Sequence, residues 1–83
     1  MSMIDLTLEE IGMRLLGQRL KQIRTELAYS QDYVAFKLGL PTAEIAEIEA
    51  GECRVSTLQI SMLASLYGKS IKYLVLGEED AKR

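Results

Sequence analysis

Apolar residues recur along this chain at three- and four-residue steps, and glycines or hydroxyl side chains divide them into separate runs. Leu8, Ile11, Leu15, Leu16, Leu20, Ile23 and Leu27 trace the first run, with the spacing of an amphipathic helix. Thr7 and Glu10 stand ahead of it at capping-box spacing, where each side chain satisfies a backbone N–H of the other residue. Gly12 and Gly17 interrupt the run, and each costs up to about 1 kcal/mol in a helix interior. A kink or a separate leading turn is therefore expected before Gly17.

Ser30 is an N-cap for a second helix that runs to Leu38 and stops at Gly39, since glycine enters the left-handed region cheaply. Pro41 suits a helix entry, so a third helix is predicted from Pro41 or Thr42 to Ala50, with Gly51 beyond it. Ser56 and Gln59 repeat the capping-box spacing and open a fourth helix that ends at Tyr67, before Gly68. Ser70 opens a short fifth helix over Ile71–Leu76, stopped by Gly77. No segment sustains period-two alternation, so the fold class is all-α.

The stretch from Gln31 to Ala50, QDYVAFKLGLPTAEIAEIEA, describes two short helices crossing tightly. Val34, Leu38, Ile45 and Ile48 supply the apolar faces, Ala35 is small enough for a close crossing, and Leu40 plugs the turn after Gly39. Together these residues resemble the helix-turn-helix of lambda-repressor-like regulators, the Xre (Cro/CI-type) family. GQRLKQIR resembles that family's first helix, SQDYVAFKLG its second, IAEIEAG the end of its third, and LASLYGKSIKYLVLGE its last two. The resemblance implies a compact five-helix lambda-repressor-like DNA-binding domain over residues 17–77, with the helix-turn-helix motif at 31–50. Outside the resemblance, residues 1–16 are expected to form a helical N-terminal extension of the first helix, and residues 78–83 a charged tail.

The resemblance also implies roles for single residues. Arg24 and Glu49 match a pair that joins the first and third helices, so a mostly buried ion pair is expected. Ser30 and Gln31 fall beside the DNA backbone, where helix N-termini offer free N–H groups to phosphate. Thr42, Ala43 and Glu47 match base-reading positions, with Glu44 and Ala46 next to them. Methyl groups of Thr42 and Ala43 suit thymine, and a Glu47 carboxylate suits the cytosine amino group. Arg19, Lys37 and Arg54 are the cations within reach of phosphates around the motif. Tyr67, Ile71, Tyr73 and Leu76, in a dense apolar C-terminal segment, are expected at a homodimer interface. The leading segment Ile4 to Leu16 is expected to cover that same surface or to pair with a partner subunit.

Charge complicates this picture. The chain carries 10 Lys and Arg against 12 Asp and Glu, a formal net charge of −2, so it has no global attraction to nucleic acid. Between Gly39 and Glu52 stand Glu44, Glu47, Glu49 and Glu52, without one Lys or Arg. Two readings follow. The first is a sequence-specific DNA-binding transcriptional regulator, such as a repressor, acting as a homodimer with its third helix in the major groove. The second is a protein-interaction module that keeps the fold, binds DNA weakly or not at all, and turns its acidic third helix to a basic protein partner.

The remaining chemistry narrows the field. Cys53 is the one cysteine and there is no histidine, which fits a reducing cytoplasm and argues against a metal site. Arg54 beside Cys53 favours thiolate character, whereas Glu52 on its other side opposes it. There is no nucleophile–base pair and no phosphate-cradling glycine loop, so neither an enzyme nor a cofactor is expected. No apolar run approaches the roughly 20 residues that span a bilayer, so no membrane association is expected.

Overall fold

The computed structural model describes residues 7–78. Among them the chain forms α1 (Leu8–Glu26), α2 (Gln31–Leu38), α3 (Thr42–Ala50), α4 (Thr57–Tyr67) and α5 (Ile71–Leu76), with no strand. Side-chain caps start four of these helices. Thr7 Oγ1 accepts from the Glu10 N–H at 3.1 Å while Glu10 Oε1 accepts from the Thr7 N–H at 3.0 Å. Ser56 and Gln59 make the same reciprocal pair, 3.0 Å in each direction. Ser30 and Ser70 accept from the N–H groups of Tyr33 and Tyr73 at 3.0 and 2.9 Å. Only α3, entered through Pro41, has no side-chain cap. Ser56→Ala is expected to lower the unfolding free energy by about 1 kcal/mol, read as a shifted urea midpoint; an unmoved midpoint would show that this cap contributes nothing.

α1 is one continuous helix of 19 residues, so the separate leading turn expected before Gly17 does not occur. The reason lies in the packing of α1 on α3. A Cβ at Gly17 would lie 2.6 Å from the carbonyl oxygen of Glu49 and would also collide with that of Ile48. The absent side chain lets two helix backbones touch, and that contact offsets the weak helix propensity of glycine.

The core gathers one apolar face from every helix. Leu20 and Ile23 of α1 meet Val34, Ala35 and Leu38 of α2, Ile45 and Ile48 of α3, Leu63, Ala64 and Tyr67 of α4, and Leu74 of α5. Gly39 takes φ 71° between α2 and α3. The Leu40 N–H then donates to the Ala35 carbonyl at 2.9 Å, so the chain reverses within a few residues.

Tyr67 corrects an expectation. It is a core residue, 4% exposed, with its ring 6.4 Å from that of Tyr29. Burial pushes its phenol well above the ordinary tyrosine value, helped by the nearby Glu49 carboxylate. It therefore cannot present a surface to a second subunit. Tyr73 is half-buried against the core, which leaves Ile71 and Leu76 exposed. The segment starting at Ile4 and the charged tail lie outside the described residues in part, at 1–6 and 79–83.

Candidate nucleic-acid interface

One polar knot orients the helix-turn-helix. Arg24 Nε donates to Glu49 Oε2 at 2.7 Å, and Arg24 Nη2 donates to Glu49 Oε1 at 3.0 Å. The pairing is bidentate, which gives it direction as well as strength. Arg24 Nη1 donates to the Tyr29 carbonyl at 2.9 Å, and Gln31 Nε2 donates to Glu49 Oε1 at 3.0 Å. The two charged side chains keep only 11% and 4% of their surfaces exposed. The hydrogen bonds that Arg24 donates to Glu49 raise its guanidinium above the usual value, against the effect of burial. Four residues on α1, its following turn, α2 and α3 are thereby held in one register.

With Glu49 turned inward, α3 shows its other side to solvent. Ala43 and Glu47 are exposed, while Thr42, Glu44 and Ala46 are half-buried. Thr42 Oγ1 donates to Asp32 Oδ1 at 2.7 Å, tying the first turn of α3 to α2. Glu44 Oε2 accepts from Gln59 Nε2 at 3.2 Å, which draws this carboxylate toward α4. Among the described residues Glu47 has no ion-pair or hydrogen-bond partner. It is the acid on this helix left free to meet a ligand.

Neither Asp32 nor Gln59 stood out in the sequence. Gln59 was legible only as the partner of Ser56 in a capping box. Its amide oxygen fills that role and its amide nitrogen reaches across to Glu44. Nothing in the spacing of Asp32 and Thr42 announces their bond, because it crosses the turn between two helices.

The expected phosphate contacts fare unequally. Arg19 Nη1 donates to the Leu74 carbonyl at 2.8 Å, and its guanidinium packs under Gly77. Carbonyls at the end of α5 lack helical partners, so Arg19 caps that end and fastens it to α1. The structure thus turns Arg19 away from a backbone-binding role. Gln31 likewise spends its amide on Glu49. Arg54 is exposed but forms an ion pair with Glu9 of α1. Lys37 is exposed, with Nζ 5.8 Å from the Tyr33 ring centre. Ser30 sits at the tip of α2 with its oxygen engaged as the cap. Cys53 is half-buried, and burial pushes its thiol up, followed by the charges of Glu47, Glu44 and Glu52. The acidic face therefore outweighs Arg54 at this loop, and the thiolate a redox sensor needs is disfavoured.

Against this geometry stand the comparisons with known proteins. The helix-turn-helix family profile matches residues 20–74, which spans the core of α1 to the core residue of α5. The chain belongs to the Xre, lambda-repressor-like helix-turn-helix family. This family is one of DNA-binding transcription regulators. Among solved structures, this Xre-family chain is 32% identical to the restriction-modification controller protein C.AhdI from Aeromonas hydrophila, with a TM-score of 0.71, over 75% of this chain and 94% of that one. It is 25% identical to the DNA-binding domain of BldD, with a TM-score of 0.70, over 80% of this chain and 96% of that one. A hypothetical transcription factor, NHTF from Neisseria, shares the fold at 19% identity and a TM-score of 0.73, over 87% of this chain and 83% of that one. Among curated proteins none matches the sequence significantly. No helix among the described residues is long and apolar enough to cross a membrane.

Proposed function

We propose that this Xre-family protein is a sequence-specific transcription regulator that acts as a homodimer and lays α3 in the major groove of its operator. The observation that carries the reading is the Arg24–Glu49–Gln31 knot, which holds α2 and α3 as a rigid pair with Thr42, Ala43 and Glu47 on the outer side. The likeness to a restriction-modification controller and to a DNA-binding domain supports it. Thr42 and Ala43 offer methyl groups to thymine, and Glu47 accepts from a cytosine amino group. Ser30 and the free N–H groups at the start of α2 approach a phosphate, and Lys37 and a released Arg54 supply the cations. Glu44, held by Gln59, stands beside the groove rather than reading it.

A surface this acidic makes few phosphate contacts. One or two per subunit give a dimer a salt slope of only about −2 to −4 in log–log form, so affinity rests unusually heavily on base contacts. A band-shift titration on the DNA upstream of the chain's own coding sequence, repeated over a salt series, tests this. Specific binding with a shallow slope is the expected result, and no retardation at low salt would sink the reading. Glu47→Lys is expected to steepen the slope by about 2 for the dimer and to strengthen binding to unrelated DNA while blurring discrimination. An unchanged slope and unchanged discrimination would remove α3 from the groove. The second reading, an acidic protein-docking face, would then gain what the first had lost.

A further inference from the structure

Asp32 is an acid standing where a phosphate is expected. It lies exposed in the first turn of α2, at the end whose free N–H groups approach the DNA backbone in the reading above. A carboxylate there suits the helix dipole but repels a phosphate. Among the described residues it forms no ion pair, and the Thr42 hydroxyl donates to its Oδ1 at 2.7 Å.

Thr42 is the first residue of α3. Deeper in a helix, a threonine can fix its χ1 by bonding a carbonyl three or four residues back. Thr42 has no helical turn behind it, and α3 is entered through Pro41 without a side-chain cap. The bond to Asp32 therefore selects its rotamer. The two γ atoms of a threonine occupy different staggered positions, so a hydroxyl committed to α2 carries the methyl group away from Asp32. That bond also takes the only donor on the side chain. What remains to meet a base edge is chiefly the methyl group.

We infer that Asp32 is a positioning residue, which holds Thr42 as a reader of the thymine C5-methyl group. The inference rests on the groove reading above and deepens it by naming the group that the first turn of α3 recognises. Without the bond the hydroxyl turns freely, and a threonine that offers either hydroxyl or methyl accepts several bases. Asp32 thus gives up some general attraction to phosphate in exchange for discrimination at one base pair. Entry into the groove removes the water that competes for this exposed bond, and so strengthens it.

The test uses the operator fragment from the band shift, each thymine being replaced in turn by deoxyuridine, which lacks only the methyl group. At one thymine per half-site the wild type is expected to lose about fourfold in affinity, the worth of one buried methyl. Thr42→Ser keeps the hydroxyl without the methyl and identifies that thymine, because its replacement then no longer matters. Asp32→Ala is expected to abolish the deoxyuridine penalty at the same position. It also binds unrelated DNA about twofold more tightly per subunit, since a negative charge is gone. Asp32→Asn retains an oxygen acceptor without the charge, so it keeps the penalty and shares the gain on unrelated DNA. A merely damaged fold would weaken both kinds of binding. A penalty that survives in Asp32→Ala, or one that vanishes in Asp32→Asn as well, would overturn the assignment. So would a wild type in which no deoxyuridine penalty depends on Thr42; its specific binding would still support the regulator reading. No specific retardation of the wild type at low salt would end both.

Discussion

Replacing Arg24 by methionine is expected to remove about 3–5 kcal/mol of unfolding free energy, because it strands the Glu49 carboxylate in the interior. Glu49 keeps 4% of its side chain exposed and takes three hydrogen bonds, two from Arg24 and one from Gln31. After the substitution only Gln31 remains to serve it, and the Tyr29 carbonyl also loses its donor. Domains of this size hold roughly 5–15 kcal/mol in total, so the variant sits near the edge of folding. A fall of some tens of degrees in Tm follows, at about 4–8 °C per kcal/mol.

The double variant Arg24→Met, Glu49→Leu is expected to recover most of the loss, since two apolar side chains of similar bulk need no partner. A double-mutant cycle by urea unfolding gives both numbers. A single-variant loss below about 1 kcal/mol would mean that solvent reaches the pair and that the knot does not hold the two helices in register.

The second large effect is at Gly17. Gly17→Ala improves local helix propensity by about 1 kcal/mol and is nevertheless expected to destabilise by about 2 kcal/mol net, in the range of other overpacking substitutions. Its Cβ would press on backbone atoms of Glu49 at 2.6 and 2.9 Å, and backbone has no rotamer by which to escape. α1 and α3 would have to separate, pulling on Arg24 and Glu49 as they do so. Gly12→Ala, five residues earlier in the same helix, meets nothing within 4 Å. It is expected to stabilise the monomer by up to about 1 kcal/mol. Opposite signs at the two glycines, read by thermal unfolding at low protein concentration, are the outcome that a helix-propensity account alone cannot produce. Equal gains at both would refute the backbone contact.

These two predictions join the fold to function. The Arg24–Glu49 pair and the Gly17 contact fix how α3 lies on α1, and hence which side chains of α3 face outward. Moving α3 by an ångström at Gly17 would displace Thr42 and Glu47 together, so a loss of operator discrimination is expected to accompany the loss of stability.

The sequence by itself determined the helices, because their signals are local. Caps at Thr7, Ser30, Ser56 and Ser70 act within three residues, and the glycine stops at Gly39, Gly51, Gly68 and Gly77 each take the positive φ that glycine enters most cheaply. The family was legible for a related reason: small, turning and apolar residues must fall in fixed order for two helices to cross at Gly39.

What tertiary structure alone decided is where each long polar side chain ends. Arg19 reaches α5 and Arg54 reaches Glu9, while Gln59 holds Glu44 and Asp32 holds Thr42. Flexible side chains with several polar atoms bond to whatever the fold brings near, and spacing along the chain does not encode that. Tyr67 went to the core, and Leu8, Ile11 and Leu15 stayed outside it, for one physical reason. An apolar pattern states that a face seeks cover, and only the packed helices show whether this chain supplies it.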